Sequence, residues 1–125
     1  MSKQEAVVTI SIPANGSLAS DQFKFVKVNS SGKALLVAAS TDVTVGVLQD
    51  NPNAADLPAA VAISGRVKVV AGGTVASGGL VMSGSTGLAV AATGSGNRVV
   101  GVALVGGVSG DLIEVLLYQS GYLIP

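Results

Sequence analysis

A chain that alternates apolar and polar residues every second position can bury one face only as a strand, and three segments here do so. Ala6-Val7-Val8-Thr9-Ile10-Ser11-Ile12, Phe23-Lys24-Phe25-Val26-Lys27-Val28 and Arg66-Val67-Lys68-Val69 alternate or nearly alternate. The apolar runs Val45–Leu48, Val99–Leu104 and Leu112–Tyr118 read as strands covered on both faces. Turn signals separate them: Ala14-Asn15-Gly16, Asn29-Ser30-Ser31-Gly32, Asp50-Asn51-Pro52-Asn53, Ser83-Gly84-Ser85-Thr86-Gly87 and Gly94-Ser95-Gly96-Asn97. Val is the commonest residue, and its branched β-carbon suits a pleated surface better than a helix. Only Asn53–Ala62 holds enough Ala for a helical turn, and Pro58 interrupts it. The pattern predicts an all-β chain.

The chain also repeats itself. Gly16-Ser17-Leu18-Ala19-Ser20 recurs as Gly73-Thr74-Val75-Ala76-Ser77, and Ser31-Gly32 returns as Thr86-Gly87. Val37-Ala38-Ala39-Ser40 matches Val90-Ala91-Ala92-Thr93, and Val45-Gly46-Val47 matches Val100-Gly101-Val102. Asp56-Leu57 matches Asp111-Leu112, and Ser64-Gly65 matches Ser120-Gly121. The order is kept from end to end. The expectation is two pseudo-symmetric β-units of about 55 residues, split near residue 66, packed about a pseudo-twofold axis into a small compact β-barrel or sandwich. Residues 1–14 read as an extended N-terminal arm and residues 15–125 as one β domain.

Composition removes most chemistry. The chain has no His, Cys or Trp, so a zinc site built from His or Cys, a Cys nucleophile, a Ser-His-Asp triad and a disulfide are excluded. Seven basic and seven acidic residues give a formal charge of zero, which makes no case for nucleic acid or an anionic membrane. Mean hydropathy is +0.64, yet no 18-residue apolar run exists, so no spanning segment is expected. The start, MSKQEAVVTISIP, is not expected to act as a signal peptide, because Glu5 stands where positive charge belongs and Thr9 and Ser11 break the apolar run.

The remaining motifs have plain readings. Gly79–Gly84 has P-loop glycine spacing, but Ser85 occupies the place of the phosphate-binding Lys. Gly94-Ser95-Gly96 lacks the third glycine of a dinucleotide fingerprint, since Val99 stands there. Asp50 and Asp56 flank an Asn-rich loop without the bidentate Glu of a calcium loop, and a turn explains them. Asp111 and Glu114 have opposite parity on one strand and so cannot act as an acid–base pair. Lys24, Lys27, Lys33 and Lys68 sit in the polar alternation of solvated faces, so no Ser has a desolvated base. Phe23 and Phe25 read as one core-facing stripe that shares its face with Lys27. No catalytic residue, metal ligand or cofactor site is expected.

Charge placement says more. From Val69 to Gly110 there are 42 residues, and Arg98 alone is charged. Solvated surfaces carry mixed charge, whereas interface cores lose it, so this half is expected to lie against protein.

Several runs resemble the small capsid cement, or head decoration, proteins of tailed bacteriophages. They are Gln22–Val28, Gly32-Lys33-Ala34, Val45–Pro52, Val61–Val69, Ala89–Gly94 and Asn97–Ala103, in that order, within a likeness spanning roughly residues 18–118. Residues 1–14 match least well. The resemblance implies a β-rich virion protein on the outer surface of the mature head, bound between major capsid subunits and commonly trimeric, with no enzymatic activity and no cofactor. The expected partners are therefore the major capsid protein and two further copies of the chain, with no nucleic acid, membrane or small-molecule substrate. A free strand at Ala6, Val7, Val8, Thr9, Ile10, Ser11 and Ile12 is expected to add to a capsid sheet edge by main-chain bonding, and its deletion to leave the remainder folded. The competing reading is a non-catalytic adhesive or carbohydrate-binding β module of a phage tail or cell surface, disfavoured by four aromatics and no Trp.

Overall fold

A computed structural model of the chain describes residues 7–94 and 97–118. Among these there is no helix, and the strands are β1 (Val8–Pro13), β2 (Phe25–Val28), β3 (Ala34–Leu36), β4 (Gly46–Leu48), β5 (Pro58–Val70), β6 (Leu80–Ser83), β7 (Ala89–Ala91), β8 (Gly101–Val105) and β9 (Leu112–Leu117). All pairings are antiparallel, in the order β3-β2-β4-β5-β9-β8-β6-β7, with β1 added beside β5. The all-β expectation holds.

The long strand β5 divides the sheet. Its first half pairs with β1 and β4, its second half with β9, and the change of partner falls between Ser64 and Gly65. Gly65 has φ +103°, a backbone state that side chains rarely adopt, so glycine is the residue that permits the bend. Each half then curls until its ends meet. Ala14 bridges Ala34 in parallel, and Asn15 N–H donates to the Ala34 carbonyl at 2.8 Å. Ala71 bridges Ala89 in the same way, and Gly72 N–H donates to the Ala89 carbonyl at 2.7 Å. The result is two small five-stranded barrels in tandem. Barrel 1 is β1-β5-β4-β2-β3, and barrel 2 is β5-β9-β8-β6-β7.

Pairing repeats in the same register through the centre of the two barrels, with irregularities at Val8/Thr9 in one and Ala103/Val105 in the other. Phe25↔Val47 repeats as Leu80↔Val102, Val26↔Leu36 as Val81↔Ala91, and Ile12↔Ala59 as Val69↔Ile113. The left-handed residues Phe23 (φ 66°) and Asp56 (φ 68°) of barrel 1 stand where barrel 2 has Gly78 and Gly110. Gly46 and Gly101 are also equivalent. A β-carbon there would lie 2.1 Å from the Ala62 carbonyl oxygen and 2.2 Å from that of Leu116, so β4 and β8 cross their neighbours at a distance only glycine permits.

Barrel 1 encloses Ile12, Ala14, Leu18, Val26, Ala34, Leu48, Ala59 and Val61. The equivalent residues Val69, Ala71, Val75, Val81, Ala89, Ala103, Ile113 and Val115 fill barrel 2. The second cluster also takes in Phe25, Val37, Val47 and Ala62 from barrel 1, together with Val67 and Leu117. These residues form the seam between barrels.

The seam corrects the pseudo-twofold expectation. Phe25 N–H donates to the Gly87 carbonyl at 2.7 Å and Val70 N–H to the Phe23 carbonyl at 2.9 Å. A twofold contact would use the same patch on both units. Instead Gly87 is buried while its equivalent Gly32 is exposed, and Phe25 is buried while its equivalent Leu80 is exposed. One barrel therefore presents the outer face of β2, β4 and β5, and the other presents a turn. The contact runs head to tail.

Two further expectations change. Leu112–Tyr118 is not covered on both faces, because Ile113, Val115 and Leu117 point inward while Leu112, Leu116 and Tyr118 are exposed. The Phe23–Val28 strand begins only at Phe25, since Phe23 has left-handed backbone. Phe25 enters the seam, and Lys27 turns outward to Asp42.

Candidate interaction surfaces

The residues expected to contact a capsid lie mostly on β1. Val7, Val8, Thr9, Ile10 and Ser11 are exposed, Ile12 is buried in barrel 1, and Ala6 lies outside the described residues. The strand is not free. Val8–Pro13 pairs with Pro58–Ser64 of β5, with an irregularity between Val8 and Thr9. Deleting residues 1–14 would remove Ile12 and Ala14 from the barrel 1 core, so the remainder would not stay intact. Among the described residues no strand pairs along the second edge of Val8–Ile12, so main-chain addition has an edge available there.

Barrel 2 supplies the larger apolar surface. Cross-strand pairing sets Leu80, Val102 and Leu116 in one row on its outer face, ending at Arg66. Leu80 is 46% exposed and Leu116 39%. Leu104, Val105 and Leu112 extend the apolar area on β8 and β9. The run from Val69 to Gly110, in which Arg98 is the only charge, accounts for most of this surface, and exposed apolar area poor in charge marks a contact site. Glu114 lies between Leu112 and Leu116 on this face; Arg66 Nε donates to it, and this guanidinium holds the Glu114 carboxyl below the usual carboxylate range.

Charge on barrel 1 is spent locally. Lys27 Nζ lies 2.8 Å from Asp42 Oδ2, which also accepts from Ala38 N–H at 3.0 Å and Ala39 N–H at 2.9 Å. The Lys27 ammonium, then those amides, lower the Asp42 pKa. Lys33 pairs with Asp56 at 2.7 Å, and Asp50 accepts from Ala60 N–H across the hairpin. Asp111 accepts from Val108 N–H and closes the turn before β9, so it does not face Glu114 as a partner. Among the described residues no group of carboxylates gathers as metal ligands. A shallow notch at the seam is lined by Thr44, Val45, Gly46, Ile63, Val100, Leu117 and Tyr118, which offer apolar groups and two hydroxyls.

This arrangement is a tandem pair of β-barrels with an apolar outer face and, among the described residues, an open strand edge. No protein-family model matches the chain, and no curated protein matches it. Among solved structures it is similar to the N base of the head fiber protein gp8.5 of bacteriophage phi29, with a TM-score of 0.69 at 16% identity. The likeness covers 90% of this chain and 95% of that one. At that identity it shows a shared fold.

Proposed function

We propose that the chain is a structural protein of a tailed-phage head, bound outside the mature shell between major capsid subunits as a homotrimer, which it stabilises without catalysis or a cofactor. The observation that carries this reading is the shared fold with a head fiber base over nearly the full length of both chains. The surface chemistry fits it. A protein repeated over a symmetric shell needs contact area more than reactive groups, because weak contacts multiply with copy number. Barrel 2 offers an apolar, charge-poor face, and Val7, Val8, Thr9, Ile10 and Ser11 offer a strand edge.

The test is co-sedimentation of the purified protein with heads of its parent phage, in procapsid and expanded forms, followed by stoichiometry. Saturable binding to expanded heads alone is the expected result. Absence of binding to either form overturns the proposal and returns the adhesive module to first place.

A further inference from the structure

From the internal repeat we infer that the Leu80–Val102–Leu116 row is a self-association surface, covered by barrel 1 of a second copy of this chain in the same head-to-tail manner in which barrel 2 covers barrel 1. The row has a known counterpart within the molecule. Phe25, Val47 and Ala62 occupy the equivalent positions of barrel 1 and are paired in the same register. There they are fully buried, with relative exposure of 0%, because barrel 2 lies over them. Among the described residues nothing lies over the second row.

The complementary surface is also present, with Ile63 half-buried against the barrel 1 core. Barrel 2 covers Phe25, Val47 and Ala62 with Val67, Leu117 and the Gly87 turn. The equivalents on barrel 1 are Ile10, Ile63 and the Gly32 turn. Ile10 is 39% exposed and Gly32 is exposed. Each chain thus carries one used and one unused copy of both halves of the same contact. An apolar row meeting an apolar cap is favourable to bury, and the charges beside them, Arg66 with Glu114 and Lys33 with Asp56, are paired within the chain. One bond cannot be repeated. Pro13 stands in the place of Val70, whose N–H donates to the Phe23 carbonyl, and proline has no N–H to give. The contact between copies is therefore weaker than the seam within one.

A contact of this kind joins two different patches, so it closes into a ring or continues as a filament according to the rotation per step. It is independent of the capsid and is tested without one. Sedimentation equilibrium across a dilution series reads the mass of the wild-type protein against the 12.2 kDa chain. Two row variants, Leu80→Asp and Leu116→Asp, and two cap variants, Ile10→Asp and Ile10→Lys, follow, each checked by circular dichroism for native melting. The expected result is concentration-dependent association of the wild type and loss of it in every folded variant. Mixing Leu116→Asp with Ile10→Asp restores one intact row facing one intact cap, so a dimer returns and grows no further. A wild type that stays monomeric overturns the inference. So does an association that survives the row variants, or a mixture that does not recover.

Discussion

The two barrel cores solve one packing problem with opposite choices, and exchanging them tests whether the barrels are equivalent. Barrel 1 places Leu48 on β4 and Ala59 on β5, whereas barrel 2 places Ala103 on β8 and Ile113 on β9. Leu48 faces Val61 and Ala103 faces Val115, so Ala59 and Ile113 are the respective diagonal neighbours on the same inward face. Diagonal neighbours lie about 7–8 Å apart, within reach of a leucine or isoleucine side chain. Ile113 is fully buried. Truncating it to Ala removes buried methyl groups and leaves a cavity, which costs about 2–5 kcal/mol. At about 4 °C per kcal/mol for a chain of this size, the melting temperature falls by roughly 8–20 °C. Adding Ala103→Leu refills the space from the opposite strand, as Leu48 does in barrel 1. The double variant should then return to within about 1.5 kcal/mol of the wild type, the usual cost of a volume-conserving exchange. Urea unfolding of wild type, both single variants and the double variant gives the coupling directly. Additive penalties would refute the reasoning, because positions 103 and 113 would then share no cavity and the barrel cores would not be interchangeable.

Two other outcomes follow from the same geometry. Gly46→Ala and Gly101→Ala should each cost about 1–3 kcal/mol by thermal melting, because a backbone carbonyl stands at 2.1 or 2.2 Å, whereas Gly16→Ala and Gly73→Ala, with open space at the β-carbon, should leave the melting temperature within about 2 °C. The Asp42 carboxylate is held below its ordinary pKa by Lys27 and two amides, so its contribution is present above the unfolded-state pKa and is lost as pH falls through the lower folded value; Asp42→Asn should flatten the acid limb of stability against pH, and an unchanged limb would contradict that assignment.

Much of the fold was legible because β-structure writes itself locally. Alternation, branched residues and Gly/Asn turns located the strands, and the repeat emerged from recurring pieces such as Val45-Gly46-Val47 and Val100-Gly101-Val102. The alignment slipped where the loops differ in length. Hydrogen bonding pairs Val37 with Ala92 as equivalents, not with Val90, and Asp56 with Gly110, not with Asp111. Barrel 1 carries one extra residue between Leu48 and Asp56, which displaces Asp56, and short Gly/Ala/Val words match equally well in neighbouring registers, which displaces Val37. The exposed face of β9 was hidden for a related reason. Leu112 and Leu116 are as apolar as Ile113 and Val115, so the run looked buried on both sides. The seam was beyond sequence altogether, since Phe25 and Leu80 hold the same place in their own barrels and differ only in whether the other barrel lies above them.

The measurement that bears most directly on the central claim is a cryo-electron microscopy difference map between heads of the parent phage with and without this protein. The account predicts added density on the outer surface of expanded heads, at sites between major capsid subunits, with each chain visible as two lobes for its two barrels. Density confined to the tail, density inside the shell, or a map without difference on heads saturated with the protein would contradict it.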